Sequence, residues 1–280
     1  MSVLYLIPVP LNLKSGVAMS QMDLLLPNDL QIVKKISHFV VENMKSARAF
    51  LKNIQTQTSL QNLHLQELNE HTKNQKAKNY ADYLNLLLEP AIKNSENIGV
   101  ISEAGCPAVA DPGSDLVFLA HQKNILVKPL IGASSILLAI MASGLNGQQF
   151  CFHGYLAKSE ADKQKQILAL EKQSQKFRQT QIFIETPYKN ITLFQNLIQL
   201  LNDKTKLSIA INLTLPSEFV LTLSVKQWKN FDYKTTILPR LDKNPCVFSF
   251  LACFFCYFLL IFIYNRKLLF LFLSSQSSNG

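Results

Sequence analysis

The chain has 280 residues, 48% of them hydrophobic and 17% charged, with a formal net charge of +9. That length exceeds one average domain and suits two, each able to bury its own core. Five cysteines, an odd number behind no secretory leader, argue against a disulfide framework and for free thiols in a reducing compartment. The basic surplus suits a polyanion such as RNA, although many proteins without such a partner carry as much.

The N-terminus "MSVLYLIPVPLNL" has no basic leader region and no small-residue cleavage site, and Pro8 and Pro10 interrupt its apolar run. It reads as a first buried strand rather than a signal peptide. A periodic segment from Leu30 leads to a strand "HFVVEN", and "MKSARAFLKNI" places Met44, Ala47, Phe50 and Leu51 at helical spacing. "NYADYLNLLLEPAIKN" is a second helix, expected to end near Pro90. "NIGVIS" is a strand, "SDLVFLAHQKN" a helix with Ser114 as its expected N-cap, and "ILVKPL" a strand. Strands alternating with helices imply an open parallel α/β sheet whose ligands lie beyond the carboxyl ends of the strands.

In the second half, Gly132 and Ser134 lead into a helix that Gly144 terminates. "FCFHGYL" is a strand, "EADKQKQILALEKQSQKF" a polar, solvated helix, and "TQIFIETP" a strand ending at Glu185, Thr186 and Pro187. A helix "KNITLFQNLIQLLN", a strand "KLSIAINLT" and an alternating strand or hairpin "EFVLTLSVKQW" follow. The expected division is an N-terminal α/β domain (1–128), a C-terminal α/β domain (129–252) and an apolar extension (253–280).

Between the third strand and its helix stands "ISEAGCPAVADPGSDLV", Ile101 to Val117. Proline fixes φ and gives up a donor, while glycine permits φ > 0 and close backbone approach. Such a loop, with Glu103 and Asp111 inside it, either presents backbone groups and a carboxylate to a ligand or simply turns the chain. The dinucleotide G-x-G-x-x-G, the P-loop, G-x-S-x-G and H-E-x-x-H are all absent from the sequence. The five histidines show no metal-ligand spacing, and Cys253-x-x-Cys256 lies in an unbroken apolar run without a second pair. No metal is expected.

Together with its neighbours, that loop resembles E-A-G-x-P-x-[IV]-[AS]-D-P-G of the ribosomal RNA small-subunit 2′-O-methyltransferases, members of the tetrapyrrole methylase superfamily. Glu103, Ala104, Gly105, Pro107, Asp111, Pro112 and Gly113 all stand in place. In order along the chain, "LYLIPVPLNL" is similar to V-A-T-P-I-G-N-L, and "VENMKSARAFLK" to A-E-D-T-R-x-T-R-K-L-L. "GASSILLAIMASGL" is similar to P-G-P-S-A-x-x-x-A-L-x-x-S-G-L, "FHGYL" to F-x-G-F-L and "ETPYKN" to E-A-P-H-R. Three departures stand out: Leu11 replaces a glycine, Asn43 an aspartate and Lys45 an arginine, all where the substrate is expected.

The resemblance implies two α/β domains with S-adenosyl-L-methionine as methyl donor in the cleft between them, a homodimer, and rRNA or a ribosomal subunit as partner. It implies that Pro10, Asp111, Pro112, Gly113, Ser134, Ser135, Gly144 and Pro187 line or shape the donor pocket. Glu42, Glu103 and Glu185 are then the carboxylates that could assist a ribose hydroxyl, and Lys45 and Arg48 the cations that could hold phosphate. Glu42, Arg48 and Glu103 are the catalytic candidates; each could equally be a helix cap, a turn or a surface pair. Two alternatives stay open: a methylase of a tetrapyrrole or other small molecule, and a donor-binding paralogue without turnover.

The chain ends unlike the resembled family. Val247 to Tyr264 is an uncharged apolar run of 18 residues, at the lower limit for crossing a bilayer. A membrane anchor therefore competes with a closing strand over Cys246 to Ala252. The strand is favoured, because a sheet without it exposes an apolar edge, and with it a soluble, cytoplasmic enzyme without membrane contact through the tail.

Overall fold

The computed structural model describes residues 2–11 and 25–252. Strands β1 (Val3–Ile7), β2 (His38–Val41), β3 (His64–Glu67), β4 (Ile98–Ile101) and β5 (Leu126–Pro129) form one sheet in the order β3-β2-β4-β1-β5. Every pairing in it is parallel. Successive side chains point to opposite faces, so Val3, Tyr5 and Ile7 join one core while Leu4 joins another. Both faces are covered by helices, which is why the inner strands β1, β2 and β4 read as near-continuous apolar runs.

Helix α1 (Pro27–Val33) and helix α2 (Met44–Ile54) cover the first face. Asn43 caps α2, its side chain accepting from the amides of Lys45 and Ser46, and Ala47, Phe50, Leu51 and Ile54 form the buried stripe. Burying a side chain such as Phe50 is worth about 1.5–3 kcal/mol. Asn and Asp cap equally well, so the Asn43 departure leaves the helix intact. Helices α3 (Glu70–Gln75), α4 (Tyr80–Asn94) and α5 (Gly113–Gln122) follow in the chain, with α4 and α5 covering the opposite face.

Two local expectations are corrected. Helix α4 runs through Pro90 to Asn94, because its buried face of Leu84, Leu87, Leu88 and Ala91 continues past the proline and the packing outweighs the lost hydrogen bond. Helix α5 begins at Gly113 with Pro112 at its N-cap, so Ser114 lies inside the first turn; its hydroxyl donates to the Asp111 carbonyl at 3.5 Å.

The second sheet holds β6 (Phe150–Tyr155), β7 (Thr180–Ile184), β8 (Lys206–Ile211), β9 (Phe219–Ser224) and β10 (Cys246–Leu251) in the order β6-β7-β10-β8-β9. Only β6 and β7 pair in parallel; β10 runs antiparallel to both β7 and β8. The segment expected to close the sheet is therefore a central strand. Phe248 and Phe250 on β10 lie against Phe183 on β7, with ring centroids 6.1 and 5.8 Å away. The apolar tail from 253 onward, with Cys253 and Cys256, lies outside the described residues. Among the described residues no helix is long and apolar enough to cross a membrane.

Helix α6 (Ser135–Ser143) packs on this sheet through Ala139 and Ile140, against Ile182, Ala210 and Val247. Ser134 caps its start, and Gly144, in the left-handed conformation at φ 66°, ends it. Helix α7 (Glu160–Phe177) and helix α8 (Asn190–Leu200) cover the other face. α7 is less solvated than its composition suggests: Lys163, Ile167, Leu170 and Ser174 form a buried stripe.

Candidate active site

The loops that follow β1 and β4 are clasped by two backbone hydrogen bonds. The Val9 amide donates to the Gly105 carbonyl at 2.8 Å, and the Gly105 amide donates back at 2.7 Å. Gly105 has φ +73°, which a side chain rarely adopts. Behind the clasp, the segment leading to α6 passes so close to the first loop that a Cβ on Gly132 would lie 2.3 Å from Pro8 Cγ.

The Glu103–Gly113 loop is wound tightly. Ala108 and Ala110 sit at φ 65° and 66°, a conformation costing about 1–3 kcal/mol for a residue with a side chain. Asp111 over-determines this shape: its carboxylate accepts the Ala108 amide at 2.9 Å and the Gly113 amide at 2.7 Å. Burial pushes the Asp111 carboxyl up, and those two amides pull it back only in part. Across the loop, Glu42 Oε2 accepts the Glu103 amide at 2.8 Å, while Asn69 Nδ2 donates to the Glu42 carbonyl at 3.0 Å.

These loops face the second sheet across a cavity of about 380 Å³. One wall is polar: Glu42, Ser102, Glu103 and Asp111 come from the loops after β2 and β4, and Ser134 and Ser135 from the start of α6. The facing wall is mostly apolar, with Phe152, Ile184, Ala210, Leu213, Leu215 and Val247. Tyr155, Glu185 and Asn212 add polar groups to that side. Partial burial, with Glu185, Glu42 and Glu103 nearby, pushes the Tyr155 phenol up.

Of the residues singled out in the sequence, Glu42, Glu103, Asp111, Ser134, Ser135, Glu185 and Pro187 line this cavity. Gly113 borders a small recess that shares Glu42, Ser102 and Asp111 with it. Pro10 and Pro112 are buried beside the loops without lining the cavity, and Gly144 lies at the C-terminal end of α6, whose N-terminal end meets the cavity. Lys45 and Arg48 are exposed on α2 and do not line it. Leu11, where the resembled family has glycine, does line it.

Sequence reading missed three contributors. Asn212 follows β8 at φ 50°; its Oδ1 is buried without a hydrogen-bond partner while Nδ2 donates to Ser217. Tyr155 stands at the end of β6 and is one residue short of the quoted "FHGYL" end. Lys163 is 2% exposed and donates to Glu185 Oε2 at 2.9 Å; the i, i+4, i+7, i+11 spacing of Lys163, Ile167, Leu170 and Ser174 was its one signal. Among the described residues, no group of three His, Cys, Asp or Glu side chains is placed to hold a metal ion.

No family model matches the chain. Among curated relatives it is 26% identical, over 83% of its length and 72% of the other's, to ribosomal RNA small subunit methyltransferase I of Bacillus subtilis. It is 30% identical to the Vibrio cholerae protein of the same name, over 78% of this chain and 67% of that one. Among solved structures, diphthine synthase superposes with a TM-score of 0.59 at 13% identity, covering 90% of both chains. The uroporphyrin III C-methyltransferase of Thermus thermophilus gives 0.52 at 12% identity, covering 90% of this chain and 97% of that one. These two share its fold, a tetrapyrrole methylase architecture of two sheets. By its likeness to the curated relatives, the chain belongs to the ribosomal RNA small subunit methyltransferase I family.

Proposed function

We propose that the protein transfers a methyl group from S-adenosyl-L-methionine to a ribose 2′-hydroxyl of small-subunit (16S) rRNA. The observation that carries the reading is the cavity where the Glu103–Gly113 loop, the start of α6 and the second sheet meet. In the same reading the chain consists of domains 1–128 and 129–252 with the donor between them, and works as a cytoplasmic homodimer on the ribosomal subunit.

The residues fit such a donor in three ways. Asn212 Oδ1 is a buried acceptor without a partner, suited to an amino group. The first turn of α6, at Ser135 and Ile136, lines the cavity, and first-turn amides lack intrahelical partners, which suits a carboxylate. The apolar wall of Phe152, Ile184, Leu213 and Val247 suits a flat ring system. When bound, the donor supplies an electrophilic methyl group on a sulfonium.

The chain itself supplies position and dryness. The Val9–Gly105 clasp and the Asp111 turn fix the loop that borders the cavity, and alignment of two reactants to within about 3–3.5 Å accounts for much of the acceleration in such displacements. The second sheet's apolar side chains exclude water. Glu42, Glu103 and Glu185 border the space where an acceptor hydroxyl would enter, and the exposed Lys45 and Arg48 could hold rRNA phosphate nearby.

Mapping 2′-O-methyl groups on 16S rRNA from a strain lacking the protein tests this. Loss of one methyl group, restored by the gene, is expected. An unchanged map contradicts the reading, and accumulation of an unmethylated tetrapyrrole would point to the small-molecule alternative.

A further inference from the structure

Lys163 lies on the buried stripe of α7, and its side chain is 2% exposed. A buried ammonium is costly unless paired and hydrogen-bonded. Here Nζ donates to Glu185 Oε2 at 2.9 Å and to Glu160 Oε1 at 3.3 Å. Glu160 is half exposed, but Glu185 is only 8% exposed, and its Oε1 accepts the Thr186 amide at 2.8 Å. Both oxygens of the Glu185 carboxylate are thus fixed, at the end of β7, on the wall of the cavity. Fold stability alone does not call for such a pair, since apolar residues of similar size serve a core as well or better.

Resting on the rRNA reading above, we propose that Lys163 is a positioning residue for methyl transfer: it holds the Glu185 carboxylate on the acceptor side of the cavity, where Glu185 takes the proton of the incoming hydroxyl. The O–CH₃ bond forms as the S–CH₃ bond breaks, the sulfonium becomes a thioether, and the hydroxyl proton passes to Glu185 and then to water. That proton becomes strongly acidic only as the O–C bond forms. The group receiving it must therefore be ionised and in place rather than strongly basic.

The surroundings meet this need. The charged and titratable groups that face Glu185 are Lys163 and Glu160 on α7, Tyr155 on β6, and Glu42 and Glu103 across the cavity. Burial alone would raise the Glu185 carboxyl, and hydrogen bonds from Lys163 and Thr186 hold it below its ordinary range instead.

The test uses the full-length chain, donor labelled in its methyl group, and purified small ribosomal subunits. Rates against pH are measured for wild type, Lys163→Arg, Lys163→Met and Glu185→Gln, with donor affinity by calorimetry. Glu185→Gln should lose about 10²–10⁴-fold in kcat with donor affinity unchanged. Lys163→Met should lose kcat, and the acid limb of its profile should move to higher pH, while Lys163→Arg recovers both. Glu185→Gln turning over at the wild-type rate overturns the proposal, even where Lys163→Met fails to fold. So does a folded Lys163→Met with an unmoved acid limb and full kcat. Wild-type protein that transfers no methyl group contradicts the rRNA reading itself and removes the basis of this proposal; active wild type with unaffected variants contradicts the pair alone.

Discussion

Glu42 and Glu103 are 61 residues apart in the chain, and the side chain of the first holds the backbone of the second: Glu42 Oε2 accepts the Glu103 amide at 2.8 Å. The contact joins the loops after β2 and β4, which are neighbouring strands. It makes Glu42 a structural acceptor and a cavity-lining charge at once. The two roles separate by substitution. Glu42→Gln keeps a carbonyl acceptor for the amide and should leave the melting temperature near wild type, changing only steps that need the charge. Glu42→Ala leaves the amide without its partner, which should cost about 1–3 kcal/mol in urea unfolding. Equal stability of the two variants would show that the contact does not hold the loop.

Two glycines mark where the loops have no room. A Cβ on Gly113 would lie 2.7 Å from Asp111 Oδ1 and 3.3 Å from the Ala108 amide nitrogen, so Gly113→Val should break the Asp111 turn. In Gly132→Ala the added Cβ would enter the rigid ring of Pro8. Both substitutions should cost about 1–3 kcal/mol as overpacking does, and both should weaken donor binding. Calorimetric titration of the folded variants checks this; donor affinity equal to wild type would detach these turns from the pocket.

The Lys163–Glu185 pair sets a pH window for stability. The folded Glu185 carboxyl lies below its ordinary value of 4.5, so its contribution is present above that value and is lost as pH falls through the folded one. The folded Lys163 ammonium lies above its ordinary 10.5, so its contribution is present below that value and is lost as pH rises through the folded one. Removing one partner of a buried pair costs about 3–5 kcal/mol. Unfolding of wild type and Glu185→Gln should therefore differ most between these limits and converge towards strong acid. A difference that persists undiminished in strong acid would show that the pair's charge is not its source.

Lys45 and Arg48 project from the exposed side of α2. Changing both to Ala should weaken binding to the small ribosomal subunit and reduce the salt slope by about one to two phosphate contacts, while donor affinity stays as it was. An unchanged salt slope would make this face ordinary solvated surface.

The elements legible in the sequence were those whose pattern and packing agree. The β1 strand, the α2 stripe and the Ser134-to-Gly144 bounds of α6 follow from period, caps and glycine chemistry that act locally. Pro90 misled because tertiary burial of Leu87, Leu88 and Ala91 overrides a local breaker. Ser114 misled because the helix starts one residue earlier, at Gly113 with Pro112 at its N-cap, which places Ser114 inside the first turn. The β3 strand, "HLQE", went unseen because an edge strand needs little apolar character. For the site, the loop motif located Glu103, Asp111 and Gly113, but Asn212 joins the cavity wall from the end of β8, and Lys163 acts on it from α7 through Glu185. Nothing local in "INLT" or "EADKQ" announces a buried polar partner.

The most direct test of the central claim is the chemical form of the transferred methyl group. Full-length protein is incubated with small ribosomal subunits and methyl-labelled donor, and the rRNA is then hydrolysed in alkali. A 2′-O-methyl group blocks cleavage at its own phosphodiester, so the account predicts label in one alkali-resistant dinucleotide. Label in a mononucleotide, or none in the rRNA while the protein still binds the donor, would contradict it.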